Sequence, residues 1–123
     1  MLAAAAVLCA PAKAQQSNPS GQSSIGYPSV AAALAALRAK PDVRIATQGG
    51  WTIVDDRADK SIWSFTPAGH PAHPAAVKRT IVEKNGGIYI DMKVLCQASK
   101  SECDKLVDEF KVLNEQARKS MQK

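Results

Sequence analysis

VKRTIVEKNGGIYIDMKVLC, residues 77–96, decides the fold. Asn85-Gly86 is a pair that tolerates the positive backbone angles of a two-residue hairpin turn. It is flanked on both sides by runs rich in β-branched residues, the pattern of paired strands. Centring the turn on Asn85 and Gly86 sets Ile81 against Ile90 and Val77 against Val94. Ile88, Ile90, Met92, Val94 and Cys96 then share one face, while Tyr89, Asp91 and Lys93 share the other. That alternation predicts an antiparallel pair with one covered face.

Downstream, Ser99 and Glu102 have capping-box spacing immediately before an amphipathic run. Cys103, Leu106, Val107, Phe110, Leu113 and Ala117 trace one helical stripe, and Lys105, Asp108, Glu109, Lys111 and Glu115 occupy the rest. Glu115 and Lys119 are spaced for an i,i+4 ion pair. Cys96 ends the inward series of the strand and Cys103 opens the inward stripe of the helix. In an oxidising compartment that pair predicts a structural disulfide, and in the cytoplasm two buried thiols. Redox-active pairs are usually C-x-x-C, so the wider spacing argues for structure.

Upstream, Ser29 is placed to cap a helix over VAAALAALRAK, with Val30, Leu34 and Leu37 on one stripe and Pro41 ending it. Strands are expected over 43–46, 51–54 and 61–65, with Gly49-Gly50 as a turn, 55–60 as a polar turn and a proline-interrupted loop over 66–76. Consecutive strands with mostly short connections predict an α+β fold. Its antiparallel sheet of four to five strands is a meander, with the N-terminal and C-terminal helices packed on one face.

A chain of 123 residues fits one domain. Residues 1–14, MLAAAAVLCAPAKA, read as a signal-peptide remnant closed by Ala12-Lys13-Ala14, an A-x-A cleavage pattern. Nothing basic precedes Leu2, so the start lies upstream or the signal is atypical; an alanine-rich helix is the alternative. Leu8 is too large for lipoprotein processing at Cys9. Residues 15–27 form a polar Ser/Gly/Pro leader that cannot order itself, and 28–123 a single compact domain. A periplasmic or secreted location follows. No run approaches the ~20 apolar residues of a membrane helix, so no transmembrane segment is expected. The net charge of +5 is scattered, with only Lys78-Arg79 and Arg118-Lys119 adjacent. This suits a solvated surface first and attraction to an anionic envelope component second; no motif points to nucleic acid.

The stretch richest in chemistry is Trp63–His73 with Pro74, leading to Lys78-Arg79. It holds both histidines, His70 and His73. A zinc site needs three or four ligands, and only Asp55, Asp56 or Asp59, through another hairpin, could complete one. Loop-packing histidines, without metal or other cofactor, are the expectation. Ser64, His70 and Asp55 make a triad on paper, but no nucleophile elbow supports it, and Ser64 is expected to face solvent, opposite Trp63 and Phe65. Trp51 and Trp63 are placed in the core or at its rim. The hairpin register puts Arg79 on the face of Ile81 and Met92, where an unpaired charge is costly. It snorkels, pairs with Asp55 or Asp56, faces a ligand, or the register differs. Tyr89 beside Lys93 and Lys78 makes an aromatic and basic patch on the outer face.

The run WSFTPAGHPAHPAAVKR, followed by IYIDMKVLCQASKSECDKL, resembles a group of small exported proteobacterial proteins of uncharacterised function. The resemblance spans residues 43–110. It implies an envelope or secreted location and supports the Cys96–Cys103 pairing, and it carries no catalytic residue. The functional expectation is a non-enzymatic binding module that meets an envelope protein or anionic component through His70, His73, Lys78, Arg79, Tyr89 and Lys93. An inhibitor or accessory factor of an envelope hydrolase, inserting the proline loop, is the alternative, and a small hydrolase comes third. A concave pocket joining His70, Arg79 and a carboxylate would favour catalysis, a convex ordered loop inhibition, and a flat basic-aromatic sheet simple binding.

Overall fold

Asn85 and Gly86 take φ values of 54° and 76° and turn β4 (Ala75–Lys84) into β5 (Gly87–Cys96). Ile81 faces Ile90 and Val77 faces Val94, the register set by the hydrophobic alternation. The computed structural model describes residues 25–122, so the readings of residues 1–14 and 15–24 lie outside the described residues. Before this hairpin come β1 (Val43–Gln48), β2 (Trp51–Asp56) and β3 (Ser61–Phe65). All five strands pair antiparallel with their chain neighbours in the order β1-β2-β3-β4-β5, the expected meander.

The β1–β2 turn rests on Gly49 and Gly50 at φ 57° and 86°; a Cβ on Gly50 would also stand 3.3 Å from Pro67 Cβ. Between β2 and β3 the polar turn closes through a 3-10 turn, Arg57–Asp59, and Lys60 at φ 54°. Helix α1 (Val30–Ala39) is capped by Ser29, whose Oγ accepts from Ala32 N at 3.0 Å. It ends at Lys40, in extended backbone, because Pro41 disfavours helical geometry at the residue before it. Helix α2 (Lys100–Met121) is capped by Ser99, which accepts from Glu102 N at 3.3 Å. On its exposed side Glu115 meets Arg118 at 2.7 Å, three residues on, rather than Lys119.

The two helices lie on opposite faces of the sheet, which corrects the expectation that both cover one. Leu106, Val107 and Phe110 of α2 pack on Val77, Val94 and Cys96. Ala33 and Leu37 of α1 pack on Val54, Trp63, Phe65 and Ala76, whose side chains point the other way. The physical reason lies in the middle strands. Val54 and Trp63 are register partners, as are Phe65 and Ala76, and they present apolar surface on the face that β5 fills with Asp91 and Lys93. Each face therefore has apolar area to bury, and each recruits a helix. A second correction concerns the leader: Ile25 is 4% exposed and Tyr27 packs against the α1-side core, so the fold begins before residue 28.

Cys96 and Cys103 are disulfide-bonded, with Cα atoms 5.8 Å apart and both residues buried. The bond fixes the first turn of α2 to the end of β5. Beside it, Gln97 donates its N–H to Pro74 O at 2.9 Å and accepts Val30 N–H on its side-chain oxygen at 2.8 Å, tying α1 to the same corner. Helix α2 covers β4 and β5 but leaves Trp51, Ile53 and Ile62 on its side of the sheet only partly covered.

Candidate functional site

The loop from β3 to β4 is a braced structure. Thr66 N–H donates to Ala75 O at 3.1 Å, and Ala75 N–H donates to Thr66 Oγ1 at 3.0 Å. Two successive turns follow, His70 N–H to Pro67 O and His73 N–H to His70 O, both at 3.0 Å. Ala72 plugs the α2-side core and is fully buried. The His73–Pro74 bond is cis.

Both histidines are committed by this bracing, in different ways. His73 Nδ1 lies 3.1 Å from the Thr66 carbonyl oxygen and 2.8 Å from Thr66 Oγ1. A carbonyl can only accept, so His73 Nδ1 carries the hydrogen. His73 therefore locks the loop, the loop-packing role expected of it, and does not share a binding site with His70. His70 Nδ1 instead accepts the Ala72 N–H at 3.0 Å, which places the hydrogen of the neutral ring on Nε2. The His70 ring meets Trp51 edge-on, centroids 5.2 Å apart, and turns towards the open part of the sheet.

There His70 borders a cleft of about 410 Å³ between α2 and the uncovered half of the sheet. Trp51 and Ile53 of β2, Ser64 of β3 and Arg79 of β4 form its sheet side; Glu109, Phe110 and Leu113 line its helix side. Pairing explains the convergence, because Ile53 is the partner of Ser64, and Arg79 lies on the Val77 side of β4. Ser64 is 2% exposed, so the solvent-facing position expected for it is corrected: α2 and the loop roof the face it points to.

Arg79 keeps the predicted face and register, opposite Met92. Its guanidinium carbon sits 5.0 Å from the Phe110 ring centroid, and its Nε is buried without a hydrogen-bond partner. Of the alternatives for Arg79, the pairing with Asp55 or Asp56 does not form: Asp56 is engaged by Lys40 and Asp55 lies beside Arg57. Burial with no compensating carboxylate pulls the Arg79 guanidinium below its ordinary value. The result is a half-buried cation held against an aromatic face in a cleft lined by apolar and polar side chains, with no ion-pair partner among the described residues.

The outer-face patch divides. Lys78 and Lys93 are register partners, but Lys78 is claimed by Asp59 at 2.9 Å and lies 5.4 Å from the Trp63 ring centroid. That bond to Lys78 holds the Asp59 carboxyl below the usual carboxylate value, with Ser61 helping. Tyr89 is four residues along β5 from Lys93, roughly 13 Å at strand rise, with Asp91 on the same face between them. Tyr89 instead lines a groove with Lys111 and Arg118 of α2. Lys78, Lys93 and Tyr89 thus do not join His70 and Arg79 in one surface. Among the described residues no three His, Cys, Asp or Glu side chains gather as a metal site.

Sequence reasoning did not place Trp51, Phe110, Leu113 and Glu109 at the site. Their signal was present in part: Leu113 continues the α2 stripe past the point where the hairpin can cover it. No family model, curated protein or solved structure matches the chain.

Proposed function

We propose that the chain is a non-enzymatic binding module of the bacterial envelope or secreted fraction, and that it binds through the cleft between α2 and the open half of the sheet. The observation that carries this is Arg79, half-buried, with its guanidinium carbon over the Phe110 ring, its Nε buried without a hydrogen-bond partner and no carboxylate of its own. A buried charge without a partner is costly, and a partner brought by a ligand relieves that cost. The disulfide supports an oxidising compartment, and among the described residues no helix is long and apolar enough to cross a membrane.

The cleft does unite His70, Arg79 and a carboxylate, Glu109, the combination that would favour catalysis. The hydrogen bonding weighs against it. A general base needs an unprotonated nitrogen towards the reacting group, and the Ala72 N–H occupies the only such nitrogen of neutral His70. Thr66, the hydroxyl nearest a histidine, is engaged by Ala75 N–H and by His73. A second reading, inhibition of an envelope hydrolase, is favoured by the braced loop, whose Ala68, Gly69 and Pro71 are exposed.

Pull-down from an envelope extract with the wild type and with Arg79→Ala tests the first reading. A component retained by the wild type and lost with Arg79→Ala is expected. Identical retention by both would remove the cleft from the function. Loss only on replacing Pro71 would move the function to the loop.

A further inference from the structure

The charge balance around the cleft narrows its ligand. We infer that the cleft binds a small, singly charged carboxylate with an apolar body, its carboxylate on Arg79 and its body against the wall that Trp51 and Phe110 form together. This rests on the proposal that the cleft is the binding surface, and it adds the chemistry of what enters.

Three observations lead there. First, the wall is apolar and aromatic: Trp51 and Phe110 stand with ring centroids 5.9 Å apart, joined by Ile53 and Leu113. Such a wall rewards burial of a hydrocarbon or ring. The space, about 410 Å³, is that of a small-molecule site. Second, the cleft is lined by two donors suited to an acceptor-only group. Arg79 has only donors, and the neutral His70 ring offers Nε2–H, since its other nitrogen is taken. A carboxylate accepts from both, and a guanidinium binds it with two parallel bonds. Third, the surroundings select one negative charge over two. Glu109 borders the cleft, and the adjoining groove holds Glu102 and Asp108, with Lys105 as the cation there. Arg79 balances one added charge. A phosphate dianion would meet Glu109 with its second charge uncompensated.

Ligand titration with 4-phenylbutyrate, 4-phenylbutyramide and phenyl phosphate, followed by the indole N–H resonances of Trp51 and Trp63, tests the inference. Phenylbutyrate is expected to shift Trp51 and leave Trp63, which lies on the other face, unmoved. The amide and the phosphate ester are expected to bind at least about tenfold more weakly, the factor that one lost charge-assisted bond commands. Arg79→Met should weaken phenylbutyrate by at least the same factor, and Arg79→Lys should recover part of the loss. Unchanged dispersion of the Trp63 and Val94 resonances shows that each variant is folded. Equal binding of acid and amide, or of wild type and Arg79→Met, overturns the inference. So does tighter binding of the phosphate ester. If phenylbutyrate leaves Trp51 unmoved while envelope pull-down still depends on Arg79, the ligand class is wrong and the binding module stands. If neither depends on Arg79, both fall.

Discussion

Replacing Arg79 with methionine is expected to stabilise the protein, because the arginine is held in place against its own preference. Its Nε is buried without a partner, and leaving a buried donor unsatisfied costs about 1–3 kcal/mol. Since Arg79 as a whole is only half-buried, the lower end of that range applies. Methionine keeps an unbranched apolar stem over Phe110 and forfeits the cation–π contact, about 0.5–1 kcal/mol at such a site. The difference is a gain of up to about 0.5 kcal/mol, which for a domain of this size raises Tm by up to about 2–4 °C. Thermal melts by circular dichroism and urea melts with an unchanged m-value would read it. A loss of about 1 kcal/mol or more would refute the reasoning. It would mean that Arg79 is satisfied in solution and that its charge needs no ligand.

Other expectations follow from named contacts. Removing the disulfide through Cys96→Ala with Cys103→Ala should cost about 2.5 kcal/mol, the chain-entropy value for so short a closed loop, read as a lower urea midpoint; an unchanged midpoint would show that the bond merely decorates the corner. Gly50→Ala should lower Tm, because alanine at φ 86° is strained by about 1–2 kcal/mol and its Cβ meets Pro67; an unaffected Tm would place the turn in another conformation. Asp59 has a folded pKa below its unfolded value, so its contribution is present above about pH 4 and lost as pH falls through the lowered value. Lys78→Met should therefore flatten the fall of stability between about pH 5 and 3, and an unchanged slope would remove the Asp59–Lys78 pair from acid stability.

Legibility in the sequence followed the reach of the interactions. The β4–β5 register, both N-caps and the Cys96–Cys103 bridge depend on residues within one hairpin or one turn, and local pattern carried all of them. The placement of α1 did not follow, because it depends on Val54, Trp63, Phe65 and Ala76 agreeing on a face, and these belong to three strands. Trp51, Thr52, Ile53 and Val54 carry apolar residues of both parities, which signals two covered faces, but a short run cannot say which helix takes which face. The site was half legible. Arg79 stood out as a charge at an inward position, and His70 as a loop histidine. Their convergence with Phe110 is set by how far α2 extends over the sheet, which no spacing encodes. His73 and Lys78 looked equivalent to their neighbours until hydrogen bonding gave each a structural task.

Burial on both faces also has a consequence for how the sheet finds its alignment. Where one face is dry and the other wet, sliding a strand by one residue drives apolar side chains into water, and polarity alone forbids it. In β2 and β3 the penalty is smaller, since Trp51 and Ile53 would merely trade places with Thr52 and Val54, and Trp63 and Phe65 with Ile62 and Ser64. Alignment there must come from the chain reversals. Gly49-Gly50, the Arg57–Asp59 turn with Lys60 in the left-handed region, and Asn85-Gly86 each allow one strand offset. Three short reversals thus act as the sheet's indexing marks, and damage to one of them would be expected to yield mixed pairings rather than a uniformly weaker fold.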